Sequence, residues 1–512
     1  MEYQFKTESL QGAHVVFDGC QEQPVDLSLS LPDYCPDIQR ILKCQIYPCV
    51  TSKSIVGDSL EVNGNALLRI LYVDAAGLPV RCCEKRTPFT TNLPIKKTPE
   101  NPVAFVSAKV EYVNCRAVSP RKLDVHGAFS VCAKVIEHIP QNLVCSIEGD
   151  DVQQMTQTVD ASAVSGITQE PFSVCEVLEI GSGKPAAETI LRTDCSVTVE
   201  STKLLDNKLI LQGEVTLRLL YAAGMGQTLP EYMEYTIPYN QMLDCAGITE
   251  QSTCHVQVQA VSTDVQIKND AAGENMLFEA EVRAMAHITA YDTQRLTVVT
   301  DAYSTQYSLD LEYQQTTLHK LLEIVRDTDV QKNNFEVDDA NISQVIDVWN
   351  EMRSVSAAVE DGALVYTGKY NVCILAIGSE GKPFYFERMV DFKITREATG
   401  YPTDVRCEAS LRMKSIGYRI TGNSCIEVKA ELCLSAAVLQ EVSCKSIVSA
   451  SADQERPVLK DTKAALIIYY AEAGESLWNI ARQYHTAADA IRRENDLTEE
   501  TVPSRGMLFI PV

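Results

Sequence analysis

The segment GDSLEVNG-NALLRILYVDAAGLPV (57–80) decides the fold, because the chain writes it twice more. The second copy is DNKLILQG-EVTLRLLYAAGMGQTLP (206–230), and the third is EDGALVYTG-KYNVCILAIGSEGKPF (360–384). Each copy is a turn, a short apolar strand, a glycine, and a second apolar strand that ends at a glycine-containing turn. Gly64, Gly213 and Gly368 anchor the copies roughly 150 residues apart, which marks large repeats rather than a short solenoid period. A glycine at a fixed place inside a strand predicts a bulge or a close backbone approach.

A second pattern recurs downstream, at 110–135, 256–288 and 405–438. Each is a pair of alternating strands around a polar turn: Ser119 to Lys122, Lys268 to Asp270, and Tyr418 to Asn423. Alternation such as Lys109-Val110-Glu111-Tyr112-Val113 has the two-residue period of a half-buried strand. The expected fold is mainly β, with three tandem β-rich repeats, sandwich-like or barrel-like, at 1–165, 166–310 and 311–452. A polar linker is expected at 453–466. Near the entry to repeat one, Asp37 is expected to cap a short helical turn. The stretch Leu318 to Val325 reads as strand or helix.

The tail, 467–512, has a different period. Leu477, Ile480, Ala481 and Tyr484 fall at i, i+3, i+4 and i+7, one face of a helix. Ser476 or Glu475 is expected to cap it, and Thr486 with Asp489 forms a capping-box-like start to a second helix. Asn495 suits the left-handed position that ends that helix. Strands flank both helices, giving a small βααβ module. Trp478 then serves the small core, a partner contact, or both.

Composition limits the function. The 512 residues carry a net charge of −24, which excludes nucleic acid and anionic lipid surfaces as partners, since both need clustered Lys and Arg. No basic-then-apolar leader opens the sequence, and no apolar run reaches the ~18 residues of a membrane span. A cytoplasmic location is the resulting expectation. The 18 cysteines lack C-x-x-C spacing, so zinc is not expected, and small buried thiols explain them. The seven histidines are scattered, and no H-E-x-x-H, G-x-S-x-G or P-loop occurs. Gly181-Ser182-Gly183-Lys184 reads as a turn. Cys254 and His255, adjacent on a strand, point to opposite faces and cannot form a thiol–imidazole pair. No catalytic residue, metal or cofactor is expected, and the chain reads as non-enzymatic.

The tail resembles the LysM family along its length, through Gly474-Glu475-Ser476-Leu477-Trp478, Ile480-Ala481, Ile491, Asn495, Leu497 and Leu508-x-Ile510-Pro511. It departs at Arg505-Gly506, where the glycine comes one place late. The resemblance implies a shallow groove between Gly474, Glu475, Ser476, Leu477, Trp478 and the loop Asn495, Asp496, Leu497, Thr498, able to take N-acetylglucosamine-containing glycan. Pro36-Asp37-Ile38-x-x-Ile41-Leu42 and the strand pairs resemble the SipL SPOCS domain family of spore-forming Firmicutes. That resemblance implies a spore-coat scaffold in the mother-cell cytoplasm at the forespore surface. Its implied partner, bound through the tail, is a coat morphogenetic ATPase of the stage IV sporulation protein A type. A peptidoglycan or N-acetylglucosamine binder is the alternative.

Overall fold

A computed structural model describes residues 3–75, 80–224, 229–337, 342–396, 400–422, 424–459 and 466–511. The protein is mainly β, and its three copies share one topology. Copy one is β1 (Gln4–Ser30), β2 (Ile38–Val56), β3 (Ser59–Asp74), β4 (Val80–Pro94), β5 (Val103–Ser119) and β6 (Lys122–Glu148). Copy two runs β7 (Val152–Glu179), β8 (Ala187–Leu205), β9 (Lys208–Ala223), β10 (Glu231–Asp244), β11 (Thr253–Lys268) and β12 (Leu277–Ser304). Copy three runs β13 (Tyr307–Glu336), β14 (Ile342–Glu360), β15 (Ala363–Gly378), β16 (Pro383–Arg396), β17 (Val405–Ile420) and β18 (Cys425–Pro457). In each copy the second to fourth strands form an antiparallel meander. The first, sixth and fifth strands form a separate three-stranded sheet, in the order β1-β6-β5 for copy one.

The expected divide at 165/166 falls inside β7, and that at 310/311 falls inside β13. The long strands pass between copies with only the short turns at Gly149–Asp151 and Thr305–Gln306 to separate them. Of the expected linker 453–466, residues up to Pro457 continue β18, because they pair back onto the start of β13. Residues 460–465 lie outside the described residues, as does Asn423 of the third polar turn. Asp37 caps no helix. Its carboxylate accepts a bond from Arg121 Nη1 at 2.8 Å, and β2 starts one residue later. Leu318 to Val325 is strand, within β13.

The repeated glycines are places of close approach. In register, Gly64, Gly213 and Gly368 stand beside Phe89, Tyr239 and Phe392 of the next strand. The aromatic ring lies over each glycine. A Cβ on Gly213 would sit 2.0 Å from the Thr198 carbonyl oxygen and 2.6 Å from Tyr239 Oη. The opposite strand carries a register shift at the glycine in copies one and two and one residue further on in copy three, so bulge and close approach occur together.

Burial along the middle strands changes halfway. In β3, Leu60 and Val62 are buried while Glu61 and Asn63 are partly exposed, but from Leu68 to Asp74 every residue is buried, so both faces are enclosed. Leu68, Ile70 and Tyr72 enter copy one's own core, with Phe129, Val131 and Leu123 from the other sheet. Leu71 and Val73 point the other way, into a second core shared by all three copies. Corresponding positions meet there: Leu71, Leu220 and Leu375, with Trp349 from β14. The long strands make further three-copy cores, one of which joins Leu10, Leu143, Val159, Leu296, Leu318 and Cys444. The three copies are thus packed together rather than strung along the chain.

The charged side chains at this shared centre are paired. Position-matched residues of the second strands are Lys43, Arg192 and Asp347, which face Leu71, Leu220 and Leu375. Arg192 Nε donates to Asp347 Oδ2 at 2.7 Å, with the two side chains 1% and 0% exposed. The Arg192 guanidinium lies over the Trp349 ring, 4.5 Å from its centroid. Trp349 is therefore core.

Cysteine placement follows the strand alternation. Cys83 enters copy one's core while Cys82 packs on the shared centre. One pair departs from the expectation of reduced thiols. Cys20 and Cys132 are direct partners in the β1–β6 register and form a disulfide across 112 residues. Cys254 lies in the core of copy two, while His255 Nε2 lies 2.9 Å from Ser435 Oγ of copy three. They face opposite ways. Gly181 to Lys184 is a turn, closed by the Lys184 amide donating to the Gly181 carbonyl at 3.1 Å.

Candidate functional site

The tail folds as β19 (Leu466–Ala471), α1 (Leu477–Gln483), α2 (Ala488–Glu494) and β20 (Gly506–Pro511), with β19 and β20 antiparallel. Leu477, Ile480, Ala481, Ile491, Leu508 and Ile510 are its buried core, with Tyr484 packed against it. The helical face read from the sequence is the face that is buried. The caps differ from expectation. Ser476 holds the N-cap position of α1 without a side-chain bond, and Ala487, not Thr486, precedes α2. Asp489 instead pairs with Arg492. Asn495 has a φ of −112°, and the left-handed residue is Asp496 at φ 52°.

The two expected loops are close in the module but have different tasks. Gly474, at φ 86°, makes the turn after β19 and donates to the Val502 carbonyl at 2.8 Å. The Val502 amide donates to the Glu475 carbonyl and the Leu477 amide to the Glu500 carbonyl, both at 2.9 Å, so the loop is stitched to the segment before β20. Ser476 bridges Thr501. Burial, then the Glu475 carboxylate beside it, raises the Tyr469 hydroxyl above its usual range. In the second loop, Asn495 Nδ2 donates to the Phe509 carbonyl, and Asn495 Oδ1 accepts from the Phe509 amide, both at 2.7 Å. Asn495 therefore closes the outer edge of β20. Leu497 packs inward, while Asp496 and Thr498 are exposed.

Trp478 faces the repeats. Its Nε1 donates to Asp301 Oδ2 at 3.0 Å, and Arg482 Nη1 donates to the same oxygen at 2.7 Å. Asp301 Oδ1 accepts from Tyr313 Oη at 2.9 Å and from the Ala302 amide at 3.0 Å. Tyr303 packs edge-on against Trp478, with ring centroids 4.8 Å apart, and its hydroxyl donates to the Thr486 carbonyl at 2.7 Å. His485 Nδ1 lies 3.0 Å from the Ser304 carbonyl oxygen. Burial pushes the Tyr303 hydroxyl up, and burial with Asp301 does the same to Tyr313. The end of β12 is thus a socket for α1, and Tyr303 is part of the tail's own core. Asp301, Tyr303 and Ser304 carry no sequence signal, because the stretch reads as one more alternating strand.

Asp301→Ala should loosen this seat by about 1–3 kcal/mol, the usual worth of lost bonds to a charged acceptor. The checks are indole emission, expected to shift red through Trp478 while buried Trp349 is unchanged, and faster amide exchange across 477–486. An unaltered spectrum and unaltered exchange would remove Asp301 from this role.

Among the described residues, one group outside the tail has ligand-like composition. Glu351, Cys373 and Glu387 bring their ligand atoms within 4.8 Å of one another. Lys43 Nζ already lies 2.7 Å from Glu387 and 3.4 Å from Glu351, and Tyr385 Oη donates to Glu387 at 2.5 Å. Arg353 Nη2 is 3.0 Å from Glu351 as well, so the neighbouring cations are Lys43 and Arg353, and the arrangement is an ion-pair network at the shared centre.

These sheets and the docked tail define a class: a β-rich triple-repeat protein that carries a small C-terminal module. The SipL, SPOCS domain family model matches residues 37–118 and 186–268. The chain is similar to that family over these two segments, and the likeness supports a sporulation-related protein. No curated protein and no solved structure matches the chain. The matched segments hold β2–β5 in copy one and β8–β11 in copy two. Strands β14–β17 are their structural counterparts in copy three.

Proposed function

We propose that this protein is a non-enzymatic sporulation scaffold of the mother-cell cytoplasm that works at the forespore surface. Its LysM-type tail docks a coat morphogenetic ATPase of the stage IV sporulation protein A type. The observation that carries the reading is the socket on β12: Asp301, Tyr303 and Ser304 hold α1, so the tail is presented in a set orientation by a large packed body. An adaptor that organises a layer benefits from such presentation, because a preoriented module loses less freedom on binding. The SPOCS-type segments support the sporulation setting.

The test compares the full chain with one lacking residues 464–512. The purified ATPase should be retained by the full chain and lost with the tail, and a tagged copy should encircle the forespore. Sedimentation of the full chain with purified murein, without retention of the ATPase, would instead favour a peptidoglycan-binding role.

A further inference from the structure

The side of the tail that faces away from its own helices is apolar. Alternation along β19 and β20 sends Ile467, Tyr469, Leu508 and Ile510 toward the helices. The intervening residues point out. Tyr470 is 75% exposed, Met507 55%, Ile468 54% and Phe509 38%. In register, Ile468 stands beside Phe509 and Tyr470 beside Met507, so the four side chains form one block across both strands. A two-stranded sheet has no need of large apolar groups on its solvent side, and a contiguous exposed patch of this kind marks an interaction surface.

Three observations narrow what covers it. First, the opposite end of the module is occupied, since Trp478 and Arg482 are held by Asp301. Second, Asn495 takes both the amide and the carbonyl of Phe509, so at this residue the outer edge of β20 is closed to an added strand while the face above it stays open. Third, the rim is acidic where it meets Phe509. Glu494 and Asp496, both exposed, flank Asn495 beside Phe509. At the other end Arg505 is paired with Glu472 at 3.3 Å. With a net charge of −24 on the chain, a second copy would be repelled.

We infer that the outward face of β19–β20, centred on Ile468, Tyr470, Met507 and Phe509, is the surface by which the tail binds its protein partner. The partner's complementary face is apolar with a rim of Lys or Arg. The inference rests on the proposed scaffold reading and assigns its contact to this sheet face rather than to the Gly474–Trp478 loop.

The experiment measures binding of the purified stage IV sporulation protein A type ATPase to the full chain and to the double variant Tyr470→Glu, Met507→Glu. Both positions are outside the tail core, and unchanged Trp478 emission confirms that the module remains folded and seated. The expected result is binding at least about tenfold weaker, as for loss of central apolar anchors. A second variant, Glu494→Lys with Asp496→Lys, should also weaken binding and reduce its salt dependence. Full-strength binding by the folded Tyr470/Met507 variant overturns the inference while leaving the scaffold reading intact. No binding by the unaltered chain overturns both. Self-association of the unaltered chain that the same double variant abolishes would assign the face to a second copy and also overturn it.

Discussion

Asp347→Ala is expected to cost about 3–5 kcal/mol of folding stability, because it strands a buried guanidinium. Arg192 is 1% exposed, and its one short carboxylate contact is Asp347 at 2.7 Å. The next carboxylate, Asp194, is 3.8 Å away and partly in solvent. The Trp349 ring can polarise toward the cation but cannot accept its N–H bonds. The loss is also a loss between copies, since Arg192 belongs to copy two and Asp347 to copy three. Chemical denaturation should therefore show a lower midpoint, with the transitions of copies two and three further apart than in the unaltered chain. The double variant Arg192→Met, Asp347→Leu should recover most of the loss, because two apolar side chains of similar size remove the charge as well as its partner. Additive costs for the two single changes, or a cost under about 1 kcal/mol for Asp347→Ala, would show that the pair does not join the copies.

Gly213→Ala is the second large effect, about 3 kcal/mol or more. The added methyl would overlap the Thr198 carbonyl, which is held in the bulged strand, and the Tyr239 hydroxyl, which donates to that same carbonyl at 2.9 Å. A flexible side chain could swing aside, but a backbone oxygen in a hydrogen-bonded sheet cannot. Tyr239→Ala should therefore not rescue the variant. Gly417→Ala in β17 is the matched control, since a Cβ there meets nothing within 4 Å, and its cost should stay within about 0.5 kcal/mol. Equal destabilisation of the two variants would assign the effect to strand entropy or propensity rather than to close approach.

The repeated glycines were legible because a strand glycine followed by an apolar run recurs in the same frame three times. Alternation in Leu60 to Asn63, and the helical face of Leu477 to Tyr484, likewise encode in and out locally. The tail's caps were less legible. A capping residue competes with the many backbone contacts that stitch this loop to the segment before β20, and here those contacts take its place. The expected site residues divide for the same reason. Gly474 to Leu477 hold the loop together, Asn495 closes an edge, and Trp478 turns toward another part of the chain.

The amino-acid sequence by itself determined three β-rich copies, their turns, and a strand–helix–helix–strand tail, because these follow from periods of two and 3.6 residues that any short window carries. The tertiary structure alone decided where the second face of each middle strand goes. The runs Leu68–Val73, Leu217–Tyr221 and Val372–Ile377 are buried on both sides and apolar apart from Arg69 and Arg218, and such a run reads the same whether its far side meets a helix, a partner or another copy of the repeat. Tertiary structure also decided that Trp478 meets Asp301, a residue 177 positions away. Burial is local in its pattern but not in its partner, since the hydrophobic effect rewards removal from water without specifying which surface does the removing.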